Sequence, residues 1–456
     1  MKIISSTKIS PAFEPFLAES DKEGKRDAIV IYKTPPLERM PLRGRLRELS
    51  RRLDAVKQQA AQRREVENRV FKTYQENTRD LGYIDEPLST TPIASNTLPV
   101  AKVEVTRETL TALASQDEVV AILPNQKIKL IKPKKIDYDE LRTNEKTSGY
   151  TWGLEQLKIP QMWNTTKGRD INVAVLDTGV YGDHPALANR VQEFVIIDPL
   201  GRRVSTNRSF DAGQHGTHVC GTVAGGKTET GVSIGVAPEA NLLVAGVLIG
   251  DATLKTLFEG MAWAIEQGAD IINMSLGFPY YEPLFAEFLE ILVNQYGILP
   301  VVAIGNENHG NTSSPGNVHN AFSVGAVEQS SISANDLDVA FFSSGASLTF
   351  PGATNALIHK PDLVAPGAQI YSCIPPEQRI NGIVQYTYMD GTSMATPHVA
   401  GIAALLMAAK PTALVQDIIE ILKETAIHPQ GKKYCPDNRW GHGLIQPVAA
   451  LQALTS

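Results

Sequence analysis

Five near-continuous apolar runs constrain this chain most: INVAVL (171–176), NLLVAGVL (241–248), ADIINMSL (269–276), ILPVVAI (298–304) and AFSVGAV (321–327). A run without polar alternation fits a strand buried on both faces, the condition of a parallel sheet covered by helices. Amphipathic helical candidates lie between the runs, at 253–267 and 283–296. The expectation is an α/β fold, a doubly wound and mostly parallel sheet, over residues 151–456. At 456 residues the chain is long for one core, so a further domain is expected.

The N-terminal third differs in pattern. DAIVIYKTPP (27–36) reads as a short strand closed by prolines. From Leu42 to about Asn77, Leu42, Leu46, Leu49, Leu53 and Val56 recur at helical spacing. This helical insertion (42–80) carries 11 Lys/Arg against 6 Asp/Glu. Its basic character reads as a solvated face, or as a dock for an acidic regulatory protein or nucleic acid. A polar stretch, 84–99, reads as a surface loop. VAKVEV (100–105), a helix over 106–116 opened by Thr106, and VVAILPNQKIKLI (119–131) then give strand, helix, strand. Residues 1–131 are therefore expected to form a small α+β domain, and 132–150, charged and aperiodic, a linker.

Composition narrows the class. A net charge of −6 gives no case for nucleic acid as the main partner. The first 26 residues lack the apolar core of a signal peptide, and nowhere do 18 apolar residues run together. The expectation is a cytoplasmic protein with no membrane span, with signal-less secretion left open. Cys220, Cys373 and Cys435 are too few and scattered for a disulfide framework. Cys220 reads as a buried thiol, with sensitivity to oxidants or mercurials the sharper alternative.

Three motifs sit where strand meets loop or helix, which is where open α/β sheets place their sites. Asp177 follows INVAVL directly. A carboxylate there can orient a histidine, although a turn aspartate has the same sequence signature. His215 opens the helical HGTHVCGTVA and can act as a general base. His218 shares that helix; a metal pair competes with a buried, hydrogen-bonded role, but no further ligands follow at metal spacing and no metal is expected. Ser393, in GTSMATPHVAG, precedes a run of helical apolar density. A helix N-terminus favours negative charge on a nearby oxygen, and a plain Ser cap is the bland alternative.

Taken together and in the order Asp, His, Ser, DTG, HGTHVCGTVAG and GTSMATPHVAG resemble the signature blocks of the subtilisin-like serine proteases. The resemblance implies a serine endopeptidase with Asp177, His215 and Ser393 as catalytic triad, no cofactor, and protein or peptide substrates. INMSLG (272–277) resembles the family's substrate-binding strand, which implies that Ser275, Leu276 and Gly277 pair with an extended peptide. Ala303-Ile304-Gly305-Asn306 resembles the oxyanion segment, with Asn306 as side-chain donor. The N-terminal strand–helix–strand resembles an inhibitory propeptide domain, which implies that Ile128 to Ile131 lie along the strand at Ser275.

Two departures qualify the likeness. Ala186 stands where family members often carry a calcium-binding carboxylate, and Lys227 to Gly231 is off pattern, so that calcium site is not expected. The loop after Asn306 is short, and Glu307 is a candidate for favouring a basic residue at the cleft. A peptide ligase or cyclase on the same triad, and a non-catalytic binding protein, remain the alternative functions.

Overall fold

The computed structural model describes residues 8–18, 24–33, 46–80, 90–93, 97–135, 141–330, 336–350, 356–379 and 382–456. Its N-terminal third contains α1 (Glu14–Ala18), β1 (Arg26–Tyr32), α2 (Leu46–Asp80), β2 (Thr90–Pro92), β3 (Val100–Val105), α3 (Arg107–Ala114) and β4 (Val119–Pro124). The strands form an antiparallel sheet in the order β2-β3-β1-β4. Because side chains alternate along a strand, β1 divides its apolar residues between two cores. Ala28, Val30 and Tyr32 meet Val66, Val70 and Tyr74 of α2. Ile29 and Ile31 face the other way, into one cluster with Leu257 and Met261 of the larger domain.

In α2 the buried positions are Val56, Gln59, Arg63, Val66, Glu67, Val70, Phe71 and Tyr74, the spacing of one helical face. Leu42 lies outside the described residues, as do the side chains of Leu46 and Leu49. The basic face is not wholly solvated. Arg63 is fully buried and donates to Thr97 O, to the Tyr296 hydroxyl and to Gln295 Oε1 at 2.8 Å. Thr106 caps α3 in a reciprocal pair with Thr109.

The stretch expected as a linker is partly structured. After β5 (Lys129–Leu130), the chain forms β6 (Lys134–Lys135) and α4 (Thr143–Ser148). Glu145 of α4 is buried, accepting from Trp152 N (2.8 Å) and from the Tyr388 hydroxyl. Burial raises its pKa above the usual value against those hydrogen bonds. A lone carboxylate in a polar, aperiodic run gave no signal of this anchor. Two short helices, α5 (Trp152–Gln156) and α6 (Ile159–Met162), lead into the larger domain.

There the elements run β7 (Asn172–Asp177), β8 (Val191–Ile197), β9 (Arg203–Val204), α7 (His215–Ala224), β10 (Asn241–Gly246), α8 (Leu254–Glu266), β11 (Ile271–Met274), β12 (Leu276–Gly277), α9 (Phe285–Glu290), β13 (Leu299–Ala303), β14 (Ser323–Gln329) and β15 (Leu337–Val339). A hairpin of β16 (Ala346–Thr349) and β17 (Leu357–Lys360) precedes β18 (Leu363–Pro366), β19 (Ile370–Arg379) and β20 (Gly382–Asp390). Helices α10 (Thr392–Ala409), α11 (Val415–Thr425) and α12 (Pro447–Thr455) close the chain.

The main sheet has the order β15-β14-β13-β11-β7-β10-β8-β9, with β18 beside β14. Its inner pairings are parallel; only the edge strands β9 and β15 are antiparallel. This is the α/β architecture that the apolar runs imply. The order reverses around β7, flanked by β10 and β11, so a crevice opens at the C-terminal end of β7. Helix α10 is apolar on all sides because it runs through the core. Among the described residues it alone is long and apolar enough to cross a membrane, and 89% of it is buried in protein.

One buried ionic cluster ties the sheet to α11. Asp362 accepts from Lys360 Nζ (2.8 Å), Lys423 Nζ (2.6 Å), Ser323 N (2.8 Å) and Ser323 Oγ (2.9 Å). Burial pushes this carboxyl up, but Lys360 and Lys423 outweigh it and hold the pKa well below the ordinary value. A depressed carboxylate contributes stability above its unfolded pKa and loses it as pH falls through the folded one. Asp362→Ala, which strands a buried ammonium, is expected to cost about 3–5 kcal/mol at pH 7, with the difference shrinking in acid. Urea unfolding at pH 7 and pH 3 measures both; equal losses at the two values would contradict this account.

Candidate active site

The strand end and the helix start that carry Asp177 and His215 can meet because two glycines stand between them. Gly179 has φ +114°, and a Cβ there would lie 2.2 Å from Phe210 O. A Cβ on Gly216 would lie 2.0 Å from Gly179 O. Only glycine allows this approach. As a result His215 Nδ1 sits 2.7 Å and 2.9 Å from the two carboxylate oxygens of Asp177, with both side chains buried. Thr178 N donates to Asp177 Oδ1 at 2.7 Å and fixes the carboxylate plane.

His218 is not part of this pair. Its Nε2 faces the carbonyls of Ile370 (3.0 Å) and Thr387 (3.2 Å). Burial, with the neighbouring His215 adding to it, lowers its pKa to about 3, so it is neutral near pH 7. Cys220 is buried on the same helix, and burial raises its thiol pKa, which keeps it protonated.

Ser393 occupies the first turn of α10, fully buried. Its hydroxyl donates to Ile131 O at 3.0 Å and lies 3.4 Å from Ser275 O. Asn306 is oriented from behind: its Oδ1 accepts the backbone N–H and the hydroxyl of Thr392, both at 2.9 Å. That leaves Nδ2 facing the cleft, where it donates to Lys132 O at 3.1 Å. Sequence reasoning did not single out Thr392, whose only signal is its place beside Ser393.

The cleft holds the protein's own chain. β5 pairs antiparallel with β12, Leu130 opposite Leu276 and Lys129 opposite Gly277. On its other side Ile128 N donates to Ala252 O (3.1 Å), and Leu254 N donates to Gln126 O (2.9 Å). Past Ser393 the chain continues as β6, which pairs with β20 through Lys134–Asp390 and Lys135–Met389. The segment 126–135 thus crosses the whole cleft, adding a strand on each side of the serine.

Two features of this arrangement bear on chemistry. The serine hydroxyl and the Asn306 amide hold different carbonyls, those of Ile131 and Lys132. His215 Nε2 is buried and has no hydrogen-bond partner among the described residues. Glu307 lies exposed on the rim, its backbone N–H tied to Ser344 Oγ at 2.9 Å.

The two stretches that depart from the family's calcium-binding pattern are held by hydrogen bonds of their own. Ala186 O is taken by Gly226 N (2.8 Å), and the 228–232 turn closes on itself through Thr228. Among the described residues no three His, Cys, Asp or Glu side chains group in a way that could hold a metal ion.

Similarity to known proteins follows the same residues. Residues 168–443 match the profile of the Subtilase family, Peptidase_S8. The chain is 36% identical over 295 residues to an intracellular serine protease of Paenibacillus polymyxa, covering 62% of this chain and 81% of that protein. It is 33% identical over 316 residues to subtilisin E of Bacillus subtilis (strain 168), covering 68% and 73% respectively. The fold is similar to that of fervidolysin from Fervidobacterium pennivorans, a keratinolytic enzyme related to subtilisin, with a TM-score of 0.68 at 24% identity. That alignment covers 95% of this chain but 62% of fervidolysin, and it bears on fold alone. With the family profile spanning more than half of its length, the chain belongs to the subtilase family and is a subtilisin-like serine protease.

Proposed function

We propose that this endopeptidase hydrolyses peptide bonds with Ser393 as nucleophile, His215 as general base and Asp177 as the group that orients the histidine. The observation that carries the reading is the buried Asp177–His215 pair, together with a buried serine at the start of α10 whose hydroxyl touches a carbonyl of the chain lying in the cleft. Ser393 Oγ attacks the carbonyl carbon while His215 Nε2 takes its proton; the same proton then goes to the leaving amine. Asp177 holds Nδ1–H and stabilises the imidazolium. Asn306 Nδ2 and the N–H of Ser393 receive the developing oxyanion, aided by the N-terminus of α10. A substrate strand takes the place that β5 holds against Leu276 and Gly277, beside Ser275.

The N-terminal domain acts in this reading as a lock. Its tail fills the cleft, draws the serine hydroxyl to Ile131 O and leaves His215 Nε2 without the nucleophile's proton. With the serine hydroxyl held by Ile131 O and not by His215, the nucleophile's proton is not directed to the base while the tail is in place. Arg63 and the Ser10–Glu282 hydrogen bond (2.6 Å) hold the domain at sites away from the cleft. Release of this lock, by cutting or by a regulatory protein at the N-terminal domain, opens the site. The similarity to an intracellular protease supports action in the cytoplasm.

Asn306→Ala tests the oxyanion assignment. In the chain freed of its N-terminal lock it is expected to lower kcat on a peptide anilide about 10²–10³-fold with KM nearly unchanged. An effect confined to KM would assign Asn306 to ground-state binding instead.

A further inference from the structure

We infer that Asp211 is a positioning residue that directs the Asp177–His215 pair through Thr178. The inference rests on the catalytic reading of that pair given above. Asp211 lies four residues before His215, in the loop that runs antiparallel to 178–180. Ala212 N donates to Thr178 O (3.0 Å), and Val180 N donates to Phe210 O (3.0 Å).

Both carboxylate oxygens of Asp211 are used. Oδ1 accepts the Thr178 hydroxyl (2.6 Å) and Gly213 N (2.8 Å). Oδ2 accepts Thr217 N (2.8 Å) and the Thr217 hydroxyl (2.7 Å). One oxygen therefore grips the residue after Asp177 and the other the residue two after His215. The end of β7 and the first turn of α7 are strapped to one side chain.

The strap also sets a proton. The Thr178 hydroxyl has one hydrogen and two carboxylates in reach, Asp211 Oδ1 at 2.6 Å and Asp177 Oδ1 at 3.3 Å. The shorter contact takes it. Thr178 Oγ1 is then oriented to accept Gly216 N at 3.0 Å, which fixes the start of α7. Asp177 Oδ1 is left to Thr178 N and to His215 Nδ1, at 2.7 Å each. Without Asp211 the hydroxyl turns onto Asp177, competes with the imidazole for the carboxylate and weakens the His215 hydrogen bond.

Asp211→Asn separates positioning from bracing. Its amide oxygen can keep Thr217, while its NH₂ donates to Thr178 Oγ1, turns the hydroxyl hydrogen toward Asp177 and leaves the exposed Gly213 N–H to water. The probe is the downfield proton resonance of His215 Nδ1–H in the full chain carrying Ser393→Ala, with Asp211→Ala as a second variant. The expected result is an upfield shift and broadening in both variants, with the melting temperature of Asp211→Asn within about 3 °C of its parent. An unchanged resonance in both variants would overturn the inference, as would a lower melting temperature with the resonance unmoved. A parent that lacks the resonance, or keeps it after Asp177→Ala, would show that the pair itself is not formed, and the inference falls with that reading.

Discussion

In a chain freed of its N-terminal lock by a cut within residues 136–140, Ser393→Ala is expected to reduce hydrolysis of a casein-like substrate to background. In this family of mechanisms the nucleophile and base act as a unit, and losing either costs about 10⁶ in turnover, a figure that itself comes from a subtilisin. The loss should not come from unfolding. Among the described residues the Ser393 hydroxyl makes only the contacts to Ile131 O and Ser275 O, whereas the apolar residues of α10 from Met394 to Met407 are anchored in the main core. Before the cut, the variant should therefore melt within a few degrees of the parent and keep the tail in its cleft. Circular dichroism beside the hydrolysis assay separates the two outcomes. Residual hydrolysis within about tenfold of wild type would remove Ser393 from the nucleophile's role.

Cutting the chain within residues 136–140 is the second large expected effect. In the intact chain the tail is covalently attached, so its local concentration at the cleft is of millimolar order. Strands on both sides of Ser393 and the shared core at Ile29, Ile31 and Leu257 hold it there. Once cut, the N-terminal domain binds as a separate molecule, and dilution to nanomolar concentration favours its departure. The part after the cut keeps its own anchor, Glu145 against Trp152 N and Tyr388. A chain with a specific protease site placed at 136–140 should hydrolyse a peptide anilide at least about 10²-fold faster after cutting, and more so on dilution. Equal rates before and after the cut, at nanomolar enzyme, would contradict the lock.

Much of this architecture was legible in the sequence, for identifiable reasons. The five central strands announced themselves because burial on both faces leaves no polar interruption, as in INVAVL and AFSVGAV. β8 did not, because its first half is exposed: Gln192 and Glu193 face solvent before Val195 to Ile197 turn inward. β18, only four residues long, offers no period to read. Asp177, His215, Ser393 and Asn306 stand out because each sits in a short motif at a strand or helix end. The structure brings Asp177 to His215, and Ser393 and Asn306 to adjacent carbonyls of one tail.

What stayed hidden is set by partners far away in sequence. Arg63 reads as one more basic residue on a helix until Tyr296, more than 200 residues on, supplies its acceptor. Glu145 depends in the same way on Tyr388. The placement of Ile128 to Ile131 beside Ser275 followed only from the family likeness; the pattern of 119–131 reads as one strand and marks neither the break after Pro124 nor the partner of β5. The continuation of the tail through β6 was not anticipated, since Lys134–Lys135 carries no apolar alternation.

The most direct test is to treat the cut chain with a fluorophosphonate, which forms a stable bond with an activated serine, and to locate the adduct by peptide mass mapping. The proposed mechanism predicts a single adduct on Ser393, absent after His215→Ala and much slower to form in the uncut chain. An adduct on any other residue, or continued hydrolysis by a chain that takes up none, would contradict it.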